Sequence, residues 1–155
     1  MTPFENIVQF LNANGVSFRT VHHEATTTSE ASAKARGEDL SVGGKAIVMK
    51  IDASYKLLVL SAALRIDSQK IKNHFAAKKL RFASAEELMS VTGLVPGSVP
   101  PFGKPILDLE LYADLSIVRN AVIAFNAGSL TDSIVMSTED YLKLGRPVTF
   151  DFSQE

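Results

Sequence analysis

The chain contains no cysteine among its 155 residues and only three histidines, His22, His23 and His74. Without cysteine it can form neither disulfides nor thiolate zinc sites. The histidines fall in no HExxH or similar spacing, so a metal site would have to rely on carboxylates. An excess of one charge sign is also missing. Sixteen Lys and Arg against seventeen Asp and Glu give a net charge of −1. Non-specific nucleic-acid binders are usually strongly basic, so any such contact here is local. No apolar run approaches the ~18–20 residues that cross a membrane. The stretch Met1-Thr2-Pro3-Phe4-Glu5 lacks the basic and apolar regions of a signal peptide, and a cytoplasmic location is expected. The phosphate loop GxxxxGK[ST], the nucleophile elbow GxSxG and a Ser–His–Asp order are absent as well, so covalent catalysis is not indicated.

What remains is ordinary globular material, 46% hydrophobic and 21% charged. Its length suits one compact domain over residues 1–155, able to bury roughly 68–70% of its unfolded surface.

Phe4, Ile7, Val8 and Leu11 recur at helical spacing and predict a helix over 3–13, ended by Asn14-Gly15. Val16, Phe18 and Thr20 alternate as in a short strand. Thr27 and Glu30 form a capping-box pattern for a helix over 28–36, closed by Gly37. The β-branched run 45–51 and Leu57 to Leu60 predict a hairpin near the centre of a sheet. Ser68 is expected to cap a helix through Ala77, and Ser84 with Glu87 a helix that stops at Gly93. Leu80 to Phe82, Ile106 to Leu111, Ala121 to Phe125, Ser133 to Met136 and Pro147 to Phe152 read as strands. Ser137 with Asp140 caps a last helix ending at Gly145. Helices and strands mix without strict βαβ alternation, which predicts an α+β fold with a mixed or antiparallel sheet.

Several segments can carry chemistry. In Gly43-Gly44-Lys45 the glycines permit close backbone approach, and the lysine offers a positive charge and three donors. Taken alone, the same triplet suits a solvated lysine at a strand end. Residues 93–105 contain seven glycines or prolines in thirteen. They predict a stiff loop whose backbone N–H groups can stabilise an oxyanion, or a rigid structural crossover. Asn126-Ala127-Gly128-Ser129 is a turn that can present a donor and a hydroxyl. In Thr26-Thr27-Thr28-Ser29 some hydroxyls cap a helix and others are free for a ligand. His22 and His23 stand just before, with no acidic partner at a recognisable spacing. Lys70, Lys72, Lys78, Lys79 and Arg81 form the only basic cluster, either a solvated face or a contact for nucleic-acid phosphates.

In combination these segments resemble the YbaK/ProX family of free-standing aminoacyl-tRNA deacylases, which is related to the editing insertion domain of bacterial prolyl-tRNA synthetase. The resemblance is carried by Val21-His22-His23 through the helix at 28–31, by Gly43-Gly44-Lys45-Ala46-Ile47-Val48-Met49-Lys50, by Val95-Pro96-Gly97-Ser98-Val99-Pro100-Pro101-Phe102-Gly103, and by Asn126-Ala127-Gly128-Ser129. It spans residues 15–150. It implies a mixed, partly barrel-like sheet surrounded by helices, and hydrolysis of the ester of a mischarged tRNA without metal or organic cofactor. By resemblance Lys45 is the catalytic residue. Gly97, Ser98 and Pro100 position the aminoacyl ester, and Gly128 and Ser129 complete the pocket. Thr27 and His22 join the expected substrate-binding set. Mischarged tRNA is the implied partner, with an aminoacyl-tRNA synthetase as a second and tRNA phosphates near the basic cluster.

Some relatives carry a histidine shortly after the late glycine turn. Here the stretch is Leu130-Thr131-Asp132-Ser133. This leaves alanyl-, cysteinyl-, seryl- and threonyl-tRNA as possible substrates. Two other readings fit the same residues: a non-catalytic module that holds tRNA or a synthetase, and a small-molecule enzyme using the same pocket.

Overall fold

The computed structural model describes residues 1–155. Helix α1 (Pro3–Ala13) leads into strand β1 (Phe18–His22) and helix α2 (Ser29–Arg36). A single 3-10 turn, Leu40–Val42, delivers the chain to the hairpin of β2 (Gly44–Ile51) and β3 (Ser54–Ser61). Then come β4 (Arg65–Ile66), α3 (Ser68–Phe75), β5 (Leu80–Phe82) and α4 (Ala85–Thr92). After the Gly/Pro loop the order is β6 (Glu110–Asp114), α5 (Leu115–Val118), β7 (Val122–Asn126), β8 (Asp132–Ser137), α6 (Thr138–Gly145), β9 (Val148–Phe150) and β10 (Ser153–Gln154).

The strands form a mixed five-stranded sheet in the order β5-β2-β3-β6-β9, an antiparallel sheet β1-β8-β7, and the pair β10-β4. A lone parallel bridge between Gly43 and Ala124 links the two larger sheets, so the barrel is partial and open. The α+β architecture agrees with the sequence pattern.

Burial on both faces explains the long apolar runs of the central hairpin. Val48, Leu57 and Val59 enter a cluster that also holds Ile7 and Leu11 of α1, Leu88 of α4 and Tyr141 of α6. Met49, Ile51, Leu58 and Leu60 point the other way, onto Ile71 of α3 and Phe152 near the C-terminus. The alternation is the period of two expected of a strand.

Several boundaries differ from the sequence expectation. Thr28 caps α2, its hydroxyl accepting from Ala31 N, so the cap lies one residue past Thr27. Asp67 caps α3 in place of Ser68; its Oδ1 takes two backbone N–H groups, which a serine hydroxyl does less readily. The strand expected over 106–111 begins only at Glu110, because Ile106 and Leu107 both donate their backbone N–H to Gly103 O in a turn. The last strand is broken in two, since Phe152 N donates to Asp114 Oδ1 instead of to a neighbouring strand. The capping box of Ser84 and Glu87 forms as read, with both reciprocal bonds present.

Asp114 ties the C-terminal segment to the core. It is 1% exposed, and its two oxygens accept from Phe152 N at 2.7 Å and Ser116 N at 3.0 Å. Burial alone would raise its pKa, but the hydrogen bonds from Ser116 and Phe152 outweigh that and hold the carboxyl below its usual value. A folded pKa below the unfolded one adds stability above the unfolded value of about 3.9, and that stability is lost as pH falls through the folded pKa. Asp114→Ala is therefore expected to cost about 1–3 kcal/mol at neutral pH in urea unfolding, with the gap to the native chain narrowing below about pH 4. The cap assignment has its own check. Thr28→Ala should cost about 1 kcal/mol, whereas Thr27→Ala should stay within about 0.5 kcal/mol.

Candidate functional site

A cavity of about 320 Å³ opens where the two larger sheets meet. Its walls come from several parts of the chain. The approach to α2 and its buried face supply Thr27, Thr28, Ser32 and Arg36, and the start of β2 supplies Gly43 through Val48. The link from β5 into α4 adds Phe82, Ala83 and Leu88. The Gly/Pro loop adds Pro96, Gly97 and Val99, and Asn126 closes the end of β7. Phe82 is 57% exposed.

Lys45 lines this cavity and is half-buried. Its Nζ donates to Leu64 O at 2.8 Å. Burial lowers its pKa, opposed by the charge of Glu30 and assisted by that of Arg65. Glu30 and Arg65 are both exposed, so this end of the cavity is its rim.

Arg36 occupies the inner end. Nothing in the sequence marks it, because an arginine in the last turn of a helix is ordinarily a solvated cation beside the C-terminal carbonyls. It is 8% exposed. Its Nε donates to Ser133 Oγ and its Nη2 to Asn126 Oδ1, each at 3.0 Å. Burial pushes the guanidinium pKa down to about 10, so it stays charged at neutral pH. Arg36 takes part in none of the seven ion pairs of the molecule. Asn126 Nδ2 in turn donates to Gly97 O at 2.7 Å, which ties the Gly/Pro loop to the same network.

His23 completes the network. Its Nδ1 lies 2.8 Å from Glu24 O and its Nε2 2.9 Å from Ser133 Oγ. A carbonyl only accepts, so Nδ1 donates to Glu24 O, while the one Ser133 hydroxyl hydrogen is within reach of both His23 Nε2 and Asn126 Oδ1.

Of the residues expected from the sequence to catalyse or bind substrate, Lys45, Gly97 and Thr27 are brought together around the cavity, with Gly43, Gly44, Thr28 and Asn126 of the same segments. The others lie elsewhere. Ser98 is buried with its hydroxyl donating to Val95 O. Pro100 lines a second cavity, of about 520 Å³, between α1 and the Gly/Pro loop. Gly128 adopts φ +73° against Pro3, where a Cβ would approach Pro3 Cβ to 2.7 Å, so it serves a close approach to α1. Ser129 Oγ donates to Asp132 Oδ2, and the exposed His22 pairs through Nδ1 with Asp132 Oδ1 at 2.8 Å. Burial would raise the Asp132 pKa, but these hydrogen bonds and one from Thr131 hold it low. The polar groups of the β7–β8 turn thus satisfy one another.

The basic cluster divides. Lys70 pairs with Asp151, and Arg81 with Glu87. Lys72, Lys78 and Lys79 form no ion pair. His74 of α3 stacks on Phe150 at 3.7 Å. No group of three His, Asp or Glu side chains is placed to hold a metal, and no helix is long and apolar enough to cross a membrane.

Known proteins resemble this chain in sequence and in fold. The chain is 35% identical over 154 residues to the multifunctional Ser/Thr-tRNA deacylase ProXp-y of Escherichia coli K12, covering 96% of this chain and 91% of that protein. It is 35% identical over 117 residues to a proline–tRNA ligase of Shouchella clausii, a match to 76% of this chain but only 20% of that enzyme. A solved structure of a candidate trans-editing enzyme for prolyl-tRNA synthetase superposes with a TM-score of 0.86 over 100% of this chain and 99% of that one, at 22% identity, a likeness of fold. The model of the aminoacyl-tRNA editing domain matches residues 23–144, a span that includes Lys45, Arg36, Gly97 and Asn126. The chain belongs to the aminoacyl-tRNA editing domain family, in agreement with the resemblance of its GGKA strand and Gly/Pro loop to the YbaK/ProX deacylases.

Proposed function

We infer that this chain is a trans-editing deacylase that hydrolyses the ester between a wrong amino acid and the terminal ribose of a tRNA. The observation that carries the reading is the cavity at the sheet junction, lined both by a half-buried lysine and by the Gly/Pro loop. The size fits an aminoacyl group, and the open rim admits the nucleotide that bears it.

The lysine is better suited to anchoring than to proton abstraction. Free lysine is protonated at neutral pH, and Nζ is already oriented by Leu64 O. Its remaining hydrogens can reach the ester carbonyl or the flanking phosphate. Water attacks the carbonyl carbon, with the neighbouring ribose hydroxyl assisting. The bond to the ribose oxygen then breaks, and that oxygen takes up the proton. Gly97 backbone and Thr27 lie close enough to the cavity to contact the ester. The relative named for Ser/Thr-tRNA supports seryl and threonyl esters as substrates, with alanyl and cysteinyl esters the comparison set. Phe82 at the cavity wall offers an exposed ring on which the terminal base can stack, an interaction worth roughly 1–3 kcal/mol per base. Lys72, Lys78 and Lys79 are the cations available to the tRNA backbone, and a synthetase is a further partner.

Release of amino acid from seryl-, threonyl-, alanyl- and cysteinyl-tRNA tests the reading. Lys45→Ala should lower kcat/KM by about 10- to 100-fold, the span for losing a hydrogen bond to a charged group, with the circular dichroism of the native chain retained. Full activity of Lys45→Ala would remove the lysine from the reaction. No release from any tRNA by the native chain would leave a binding module. Replacing Lys78 and Lys79 by glutamine should weaken tRNA binding at every sequence. It should also reduce the slope of log affinity against log salt by roughly 0.7–0.9 for each phosphate that is no longer neutralised.

A further inference from the structure

Arg36 has no part in the reaction above, yet it is an unfavourable side chain to keep where it is. A buried cation without a carboxylate partner is strongly unfavourable. Ser133 and Asn126 occupy Nε and Nη2, but both are neutral. Nη1 makes no hydrogen bond within the chain. It is not sealed off either, since Thr138 Oγ1 is the sole buried side-chain polar atom without a partner. Nη1 therefore keeps accessible surface, on a side chain that lines the cavity and beside Gly43, which lines it too. Gly43 keeps the space beside it clear, for a Cβ there would lie 3.6 Å from Nη1 and 3.0 Å from Ala62 Cβ.

The cavity has two unlike ends. The rim near Lys45 is flanked by the exposed Glu30 and Arg65, whereas Arg36, Ser32 and Gly43 are buried. The large, charged nucleotide must stay at the rim, so the amino-acid side chain is the part that reaches inward. Gly43, Ala62 and Ser32 leave room for a small one. The unused donor at that end calls for an acceptor. Serine and threonine carry a hydroxyl oxygen, alanine has no acceptor, and a cysteine thiol is a weak one.

We propose that Arg36 reads the side-chain hydroxyl of the aminoacyl group: Nη1 donates to the hydroxyl oxygen of a seryl or threonyl ester whose carbonyl end lies toward Lys45. Arg36 is thus the residue that selects hydroxy amino acids, an assignment that rests on the deacylase reading. A site built to hydrogen-bond a hydroxyl discriminates strongly against the analogue that lacks it, because the site's own polar group is then left unpaired.

The test compares kcat/KM for seryl- and alanyl-tRNA in the native chain, Arg36→Gln and Arg36→Lys. The seryl-to-alanyl ratio should fall by about 10- to 100-fold in Arg36→Gln and by less in Arg36→Lys. A second measurement needs no variant. Adenosine carrying a serine or an alanine through a 3′-amide, which cannot be hydrolysed as an ester, is titrated into the native protein by calorimetry. The seryl amide should bind at least about tenfold more tightly. Equal binding of the two amides overturns the proposal even if Arg36→Gln fails to fold. So does an equal fall of both tRNA activities, which would place Arg36 on the ribose, the phosphate or the ester carbonyl. Seryl release with an unchanged ratio sinks the Arg36 assignment alone, whereas no release from any tRNA by the native chain sinks the deacylase reading and this inference with it.

Discussion

The site depends on a close approach between strands of two different sheets. Gly43 bridges to Ala124, and Gly44 leaves its missing side-chain space to Ile123, whose Cδ1 lies 2.7 Å from where a Cβ would stand. Ile123 is fully buried in the larger core cluster. A side chain at Gly44 would have to displace the Ile123 side chain from its place in the core between the two sheets. That approach sets the width of the cavity, because Lys45 follows directly on β2 and Asn126 follows on β7. The glycine pair is thus a packing device first, and the lysine it presents is positioned by it.

Much of the fold could be read from the residues because local signals and burial point the same way. The helix over 3–13, the β2–β3 hairpin and the Ser84–Glu87 capping box form at the expected positions. Two of the misplaced boundaries share one cause: adjacent residues offered similar chemistry and tertiary contacts chose between them. Thr27 and Thr28 both carry the hydroxyl a cap needs, and Asp67 outcompetes Ser68 for α3. Ile106 to Leu109 fails differently. It has the apolar character of a strand but is held in turns against Gly103.

The site was legible only where its residues are close in sequence or share a familiar pattern. Lys45 and Gly97 could be read in that way. Arg36 could not. Its partners Asn126 and Ser133 are 90 and 97 residues away, and no periodicity links them. The late turn reads in the sequence as ligand-facing, and in the fold Gly128 also makes a close approach to Pro3 while Ser129 Oγ donates to Asp132. Glycine and serine at a turn signal conformational need, and that need is met here inside the protein.

Asn126 connects the two ends of the cavity. Its Oδ1 accepts from Arg36 and its Nδ2 donates to Gly97 O, so one amide fixes both the inner cation and the loop at the rim. The amide cannot rotate to suit one partner without losing the other, since its oxygen and nitrogen differ in hydrogen-bond role. Neutral partners are what this arrangement requires. A carboxylate at position 126 would pair with Arg36 and stabilise it, but it would also neutralise the guanidinium and have no hydrogen to give Gly97 O. The chain therefore keeps a desolvated charge that neutral groups orient without cancelling, which leaves its field directed into the cavity.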